Sequence, residues 1–214
     1  MVTFDLDGTI IDDEWAHEQA KTEIARSFGF ESDLELSKFT GRSNRLFWET
    51  VCRHANYNGD IEELTGRQFH RVMELILEHH QPESYGLTKA MEYLKSIGCK
   101  VALTSGSDVY FVDDIMAYLG ITELVDVKIT KDHVREVKPA PDVYLAAQRV
   151  AGIPGKYCMG VEDSIAGCTA LRSAGMTSIG YTNSGKNPQN LELADYRIQT
   201  MLDLIPLVDS LNHF

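Results

Sequence analysis

The chain has 214 residues, 43% of them hydrophobic, enough for one domain or a domain with a small insert around its own core. That composition excludes disordered and collagen-like classes. A formal net charge of −12 argues against a nucleic-acid partner, and an anionic substrate would have to be met by local cations, from a metal or a well-placed Lys or Arg.

Residues 1–4 read as a short strand that begins almost at once and ends at Asp5. Residues 13–28 read as a helix, with Ala16, Ala20, Ile24 and Phe28 recurring every four positions and Gly29 as its stop. From about 34 to 80 the pattern is helical throughout (Leu34, Leu36, Phe39; Leu46, Phe47, Val51; Phe69, Val72, Met73, Ile76) with no convincing strand. After Pro82 a helix runs to Gly98, followed by a buried strand at 101–103, a helix at 109–119 and a weaker strand at 125–129. Then come a helix at 141–151, a strand at 157–161, a helix at 165–174, a strand at 177–181, a short edge strand at 196–199 and a helix at 201–211. Short apolar strands alternating with helices predict βαβ units and a parallel sheet covered on both faces.

Cys52, Cys99, Cys158 and Cys168 stand apart with no CxxC pair, so free thiols in a reducing compartment are expected. No leader is read ahead of Asp5, and no apolar run approaches ~20 residues. The expectation is a cytoplasmic monomer with no membrane and no nucleic-acid partner.

Ligands of open α/β sheets bind beyond the carboxyl ends of the strands. Asp5 and Asp7 follow the first strand. Thr104, Ser105, Gly106 and Ser107 follow the second, Lys138 lies in the loop past the third, and Glu162, Asp163 and Ser164 follow the fourth. Taken singly, each group has a plain structural reading as a turn, a helix cap or a solvated loop residue. Gathered on one edge, four carboxylates call for a cation to offset their repulsion, and hard oxygen ligands with this much charge select Mg²⁺. A carboxylate there can attack phosphorus, with Asp5 as nucleophile and Asp7 giving and taking the proton. The turn at Gly8 can aim backbone N–H groups at phosphoryl oxygens, and Ser105 and Lys138 can bind the rest.

These residues resemble the four motifs of the haloacid dehalogenase superfamily. Asp5-Leu6-Asp7-Gly8-Thr9 is similar to the first, Ser105 after Val101-Ala102-Leu103-Thr104 to the second, Lys138 in Lys138-Pro139-Ala140-Pro141-Asp142 to the third, and Gly160-Val161-Glu162-Asp163-Ser164-Ile165-Ala166-Gly167 to the fourth. The resemblance spans nearly the whole chain. It implies a three-layer, Rossmann-like α/β core over 1–12 and 83–214, with an α-helical cap over 13–82. It also implies Mg²⁺ held by Asp5, the Asp7 backbone carbonyl and Asp163, with Glu162 close by or supporting. The cap resembles that of the branch holding β-phosphoglucomutase and small sugar-phosphate phosphatases.

The cap is expected to choose the substrate. Its first loop holds Gly41, Arg42 and Arg45, which can meet a second anionic group or sugar hydroxyls. Gly8, Thr9, Gly106 and Ser107 complete the expected substrate contacts, with His17 and Arg67. His17 matches a histidine of the mutases, and Arg67 stands near the position of its cationic cap partner. Against a mutase, Asp13 replaces a threonine of that pattern, Thr9 a small apolar residue, and Asn44 a phosphate-binding arginine. The preferred expectation is therefore a Mg²⁺-dependent phosphatase of a small phosphorylated metabolite, a sugar phosphate by preference. A β-phosphoglucomutase-type mutase is the alternative, and a non-catalytic binding protein on the same fold is the alternative of another class.

Overall fold

Val2–Phe4 forms strand β1 of a parallel sheet in the computed structural model, which describes residues 1–30 and 44–211. Among the described residues the sheet has six strands, adding β2 (Val101–Thr104), β3 (Val127–Ile129), β4 (Met159–Glu162), β5 (Thr177–Tyr181) and β6 (Tyr196–Ile198). Their order is β3-β2-β1-β4-β5-β6, and every pairing is parallel. Every residue of β1 and β2 is buried. Successive side chains point to opposite faces, so both faces of the sheet centre are covered.

The chain divides into two units, one of Met1–Asp12 with Pro82–Phe214 and one of Asp13–Gln81. The second unit holds α1 (Glu14–Ser27), α2 (Asn44–Ala55) and α3 (Ile61–His79). Its core joins Ile24, Ala25, Phe47, Trp48, Val51, Cys52 and Leu64. Asp60 caps α3 by accepting the Glu62 N–H at 2.8 Å. A polar chain crosses this core: Trp48 Nε1 donates to Gln68 Oε1 at 3.0 Å, and Gln68 Nε2 donates to His17 Nδ1 at 2.9 Å. The indole N–H can only donate, so it sets the amide orientation of Gln68.

The first unit adds α4 (Leu87–Ser96), α5 (Val109–Leu119), α6 (Asp142–Ala151), α7 (Ile165–Ser173) and α8 (Leu204–Leu211). Helices α6 and α7 share a buried cluster with Ala102 of β2 and with Val127 and Ile129 of β3. A side-chain carbon on Gly160 of β4 would overlap the Leu171 side chain of α7, so the bare strand backbone is what lets α7 approach. The expected strand at 125–129 begins only at Val127. Asp126 turns both its N–H (2.8 Å to the Val101 carbonyl) and its carboxylate (2.9 Å from the Val101 N–H) onto β2. All four cysteines are free thiols. Burial, with Glu162 and Asp163 behind it, pushes the Cys168 thiol up to about 12. No described helix is long and apolar enough to cross a membrane.

The chain runs from β1 outward through β2 to β3, then crosses back to place β4 on the other side of β1. The carboxyl ends of β1 and β4 therefore flank the point where the strand order reverses, which is where open sheets bind ligands. Leu171 is fully buried above Gly160. Leu171→Ala should lower unfolding free energy by about 2–5 kcal/mol in chemical denaturation. A loss below about 1 kcal/mol would show that this packing is not what holds α7 to the sheet.

Candidate active site

Strand pairing carries Asp5 to the switch point. Its N–H donates to the Val161 carbonyl at 3.0 Å, which sets it beside Glu162 at the end of β4. The chain then turns at once: Gly8 N–H donates to the Ile11 carbonyl (2.8 Å) and Ile10 N–H to that of Leu6 (2.9 Å). Gly8 has φ +75°, and a side-chain carbon on it would overlap the Asp163 carboxylate. Only glycine meets both demands. The turn after β1 and the loop after β4 thus approach within contact distance.

The Lys138 ammonium lies at the centre. It donates to Asp5 Oδ1, to Glu162 Oε1 at 2.6 Å and to the Thr104 carbonyl at 3.3 Å. Burial pulls the ammonium down, but the charges of Asp5 and Glu162 overcome it and hold Lys138 well above its ordinary value. It stays a cation. Asp5 is shifted the other way for a carboxylate: burial first, then the Glu162 charge, raise it well above its usual range, with Lys138 opposing.

Glu162 is fully buried. Its Oε1 also accepts the Tyr144 hydroxyl at 2.6 Å, and its Oε2 accepts the Ser164 hydroxyl at 3.0 Å and the Ser164 N–H at 3.3 Å. Ser164 in turn caps α7 through the Gly167 N–H at 3.0 Å, so the strand-to-helix turn and the carboxylate share one fastening. A side-chain carbon on Gly167 would overlap the Glu162 carboxyl group, which is why the first turn of α7 is bare there.

Asp7 is half-buried, and its Oδ2 accepts the Ser107 hydroxyl at 2.9 Å and the Ser105 hydroxyl at 3.4 Å. Ser105 Oγ accepts the Ser107 N–H at 2.9 Å, which makes the turn after β2 a small clamp on Asp7. Asp163 is fixed through its backbone: its carbonyl accepts Asn187 Nδ2 at 2.6 Å, and Asn187 also donates to the Tyr181 carbonyl at 3.0 Å.

Asp5, Asp7, Ser105, Ser107, Lys138, Glu162 and Asp163 thus meet on one edge, with Gly106 exposed in the turn between the serines. Thr9 is fully buried beneath the turn, and its hydroxyl has no hydrogen-bond partner among the described residues. In the helical unit His17 is partly buried against Gln68 and the ring of Phe69. Arg67 donates to Ser27 at 3.5 Å, and Arg45 is exposed and paired with Glu49 at 2.8 Å. Gly41 and Arg42, and the helical pattern expected at Leu34, Leu36 and Phe39, lie outside the described residues. Nothing local in the sequence marks Tyr144, Gln68 or Asn187 as holding these side chains. Gln68 alone left a trace there, a glutamine inside the apolar stripe of α3.

Carboxylate oxygens of Asp5, Glu162 and Asp163 lie within 4.8 Å of one another. Against these three charges the described site sets one ammonium, and this donor set suits a hard divalent cation. Glu162 also accepts four protein donors, and the Asp163 carboxylate lies close to the Gly8 backbone. Asp5, Glu162 and Asp163 are the carboxylates that could hold such a cation.

Residues 1–175 match the family described as haloacid dehalogenase-like hydrolase. The chain belongs to that family. It is 31% identical over 219 residues to YhcW of Bacillus subtilis (strain 168), covering 98% of this chain and 96% of the relative. It is 26% identical over 179 residues to the fructose-1-phosphate phosphatase YqaB of Escherichia coli (strain K12), covering 82% and 93%. Among solved structures, CbbY from Rhodobacter sphaeroides in complex with xylulose-(1,5)bisphosphate superposes with a TM-score of 0.83 at 23% identity, over 95% of each chain. That likeness is one of fold. Enzymes of this family generally use Mg²⁺.

Mg²⁺ should therefore raise the thermal midpoint of the wild-type chain, by the equivalent of about 2.7 kcal/mol at a hundredfold excess over Kd. Ligands must shed their protons to bind a cation, and burial with the Glu162 charge raises Asp5 above the usual carboxylate range. The rise should grow as pH increases through that raised value and shrink below it. Asp163→Asn should abolish it. A pH-independent rise, or one that survives in Asp163→Asn, would place the cation elsewhere.

Proposed function

We propose that this chain is a Mg²⁺-dependent phosphatase that hydrolyses a small phosphorylated metabolite, a sugar phosphate, through an aspartyl-phosphate on Asp5. The observation that carries the reading is the Asp5–Lys138 contact at the switch point, with the Asp7 carboxylate two residues on and clamped by Ser107 and Ser105. That is a nucleophile, a fixed cation and a proton carrier on one edge. The family assignment and the name of YqaB support the substrate class.

In this reading an Asp5 oxygen attacks phosphorus while the bond from phosphorus to the sugar oxygen breaks. The electron pair leaves with the sugar oxygen, and Asp7 gives it a proton. Asp7 then takes a proton from water as the water oxygen attacks phosphorus. The bond from phosphorus to Asp5 breaks and its electron pair returns to the carboxylate. The sum is ester plus water to alcohol plus phosphate. Lys138 offsets the charge that builds on the transferring phosphoryl oxygens, and Ser105 binds them, whereas the N–H groups of Gly8, Thr9, Ile10 and Ile11 are taken up within the turn itself. Mg²⁺ on Asp5 and Asp163 would supply further neutralisation of the phosphoryl charge. Glu162 holds Lys138 rather than the metal. The helical unit Asp13–Gln81 selects the substrate.

Phosphate release from a panel of sugar phosphates and from p-nitrophenyl phosphate is the test. Wild-type turnover should need Mg²⁺ and stop with EDTA, and Asp5→Asn should lower kcat by more than about 10³-fold. Turnover in Asp5→Asn, or turnover indifferent to EDTA, would overturn the mechanism. Conversion of β-glucose 1-phosphate to glucose 6-phosphate without matching phosphate release would make the chain a mutase instead.

A further inference from the structure

We propose that Tyr144 is a positioning residue for Lys138, acting through Glu162; the proposal rests on the phosphatase reading. Tyr144 lies on the buried face of α6 between Val143 and Ala147. A phenylalanine would fill that space equally well, so the hydroxyl asks for its own account. A fully buried hydroxyl needs a partner, and this one has the same Glu162 oxygen, Oε1, that receives the Lys138 ammonium. The Lys138 nitrogen also stands 5.3 Å from the centre of the Tyr144 ring.

Counting donors shows what the hydroxyl is for. An ammonium has three N–H groups, and those of Lys138 go to Asp5, Glu162 and the Thr104 carbonyl. Once Asp5 has turned to phosphorus, the first N–H is the one that can follow a phosphoryl oxygen. The other two must keep the nitrogen where it is. The Thr104 carbonyl is backbone at the end of β2 and is fixed by the sheet. Glu162 is a side chain, and it anchors only if its own oxygens are held. Ser164 holds Oε2 with two donors, and Tyr144 holds Oε1. Without the hydroxyl, the oxygen that grips Lys138 has no protein donor but Lys138 itself among those described, and the two can drift together toward Asp5.

Tyr144→Phe removes the hydroxyl and keeps the ring. With Mg²⁺ and p-nitrophenyl phosphate, kcat per folded enzyme should fall about tenfold with KM within about twofold, because the aim of Lys138 matters in the transition state and not in the bound ester. Glu162→Gln should cost about a hundredfold, and adding Tyr144→Phe to it should cost less than about twofold more. A kcat for Tyr144→Phe within twofold of wild type, or losses that multiply in the double variant, would overturn the proposal. Crystal structures of wild type and Tyr144→Phe test it without turnover. The Lys138 nitrogen should leave its contact with the Thr104 carbonyl in the variant, and an unmoved nitrogen would overturn the role. Wild-type protein that fails to turn over the ester would sink the phosphatase reading, while the crystal comparison still decides on Tyr144.

Discussion

An ammonium on a largely buried side chain, set between two buried carboxylates, is the constraint around which the core unit is arranged. Lys138, Asp5 and Glu162 each pay heavily for leaving water, and only their mutual contact offsets that cost. The contact joins three segments far apart in sequence: the end of β1, the loop after β3 and the end of β4. Parallel pairing of β1 with both β2 and β4 is what brings those ends together. The sheet order is thus the means by which one cation reaches two anions and a strand-end carbonyl.

Around that centre, small residues stand wherever two polar segments must touch. Gly8 lets the first turn lie against Asp163, and Gly167 lets α7 start against Glu162. Ser164 serves twice, capping α7 and holding Glu162. Breaking such a network by removing one partner leaves a buried charge unmatched, which costs about 3–5 kcal/mol. The chemistry and the local stability of the switch point therefore rest on the same contacts. Asp7 stands apart from them. It is half-buried, and its carboxylate accepts the Ser107 and Ser105 hydroxyls.

Much of this was legible in the chain. Apolar runs ending in Asp5, Thr104-Ser105 and Glu162-Asp163, with helical patterns between them, are enough to put the charged groups on one sheet edge. The α3 pattern of Phe69, Val72 and Ile76 likewise marked the buried face of a helix. Partners that depend on distance were not legible. In sequence Tyr144 is one more apolar position of α6, and nothing local shows that its hydroxyl meets Glu162. Nor does the sequence show that the turn after β2 directs the Ser107 hydroxyl onto Asp7. Nor is the partner of His17 legible: its ring nitrogen takes a hydrogen bond from Gln68, one residue along α3 from Arg67. One step along a helix turns a side chain by about 100°, a distinction that composition and spacing cannot make without the exact phase.

The central claim is that Asp5 carries the phosphoryl group. Rapid mixing of enzyme, Mg²⁺ and a turned-over sugar phosphate, followed by acid quench and borohydride reduction, converts an acyl phosphate to the alcohol. Mass spectrometry of the N-terminal peptide should then find homoserine at position 5 and unchanged aspartate at position 7. Homoserine at position 7, or none at either position from enzyme caught in steady turnover, would contradict the account.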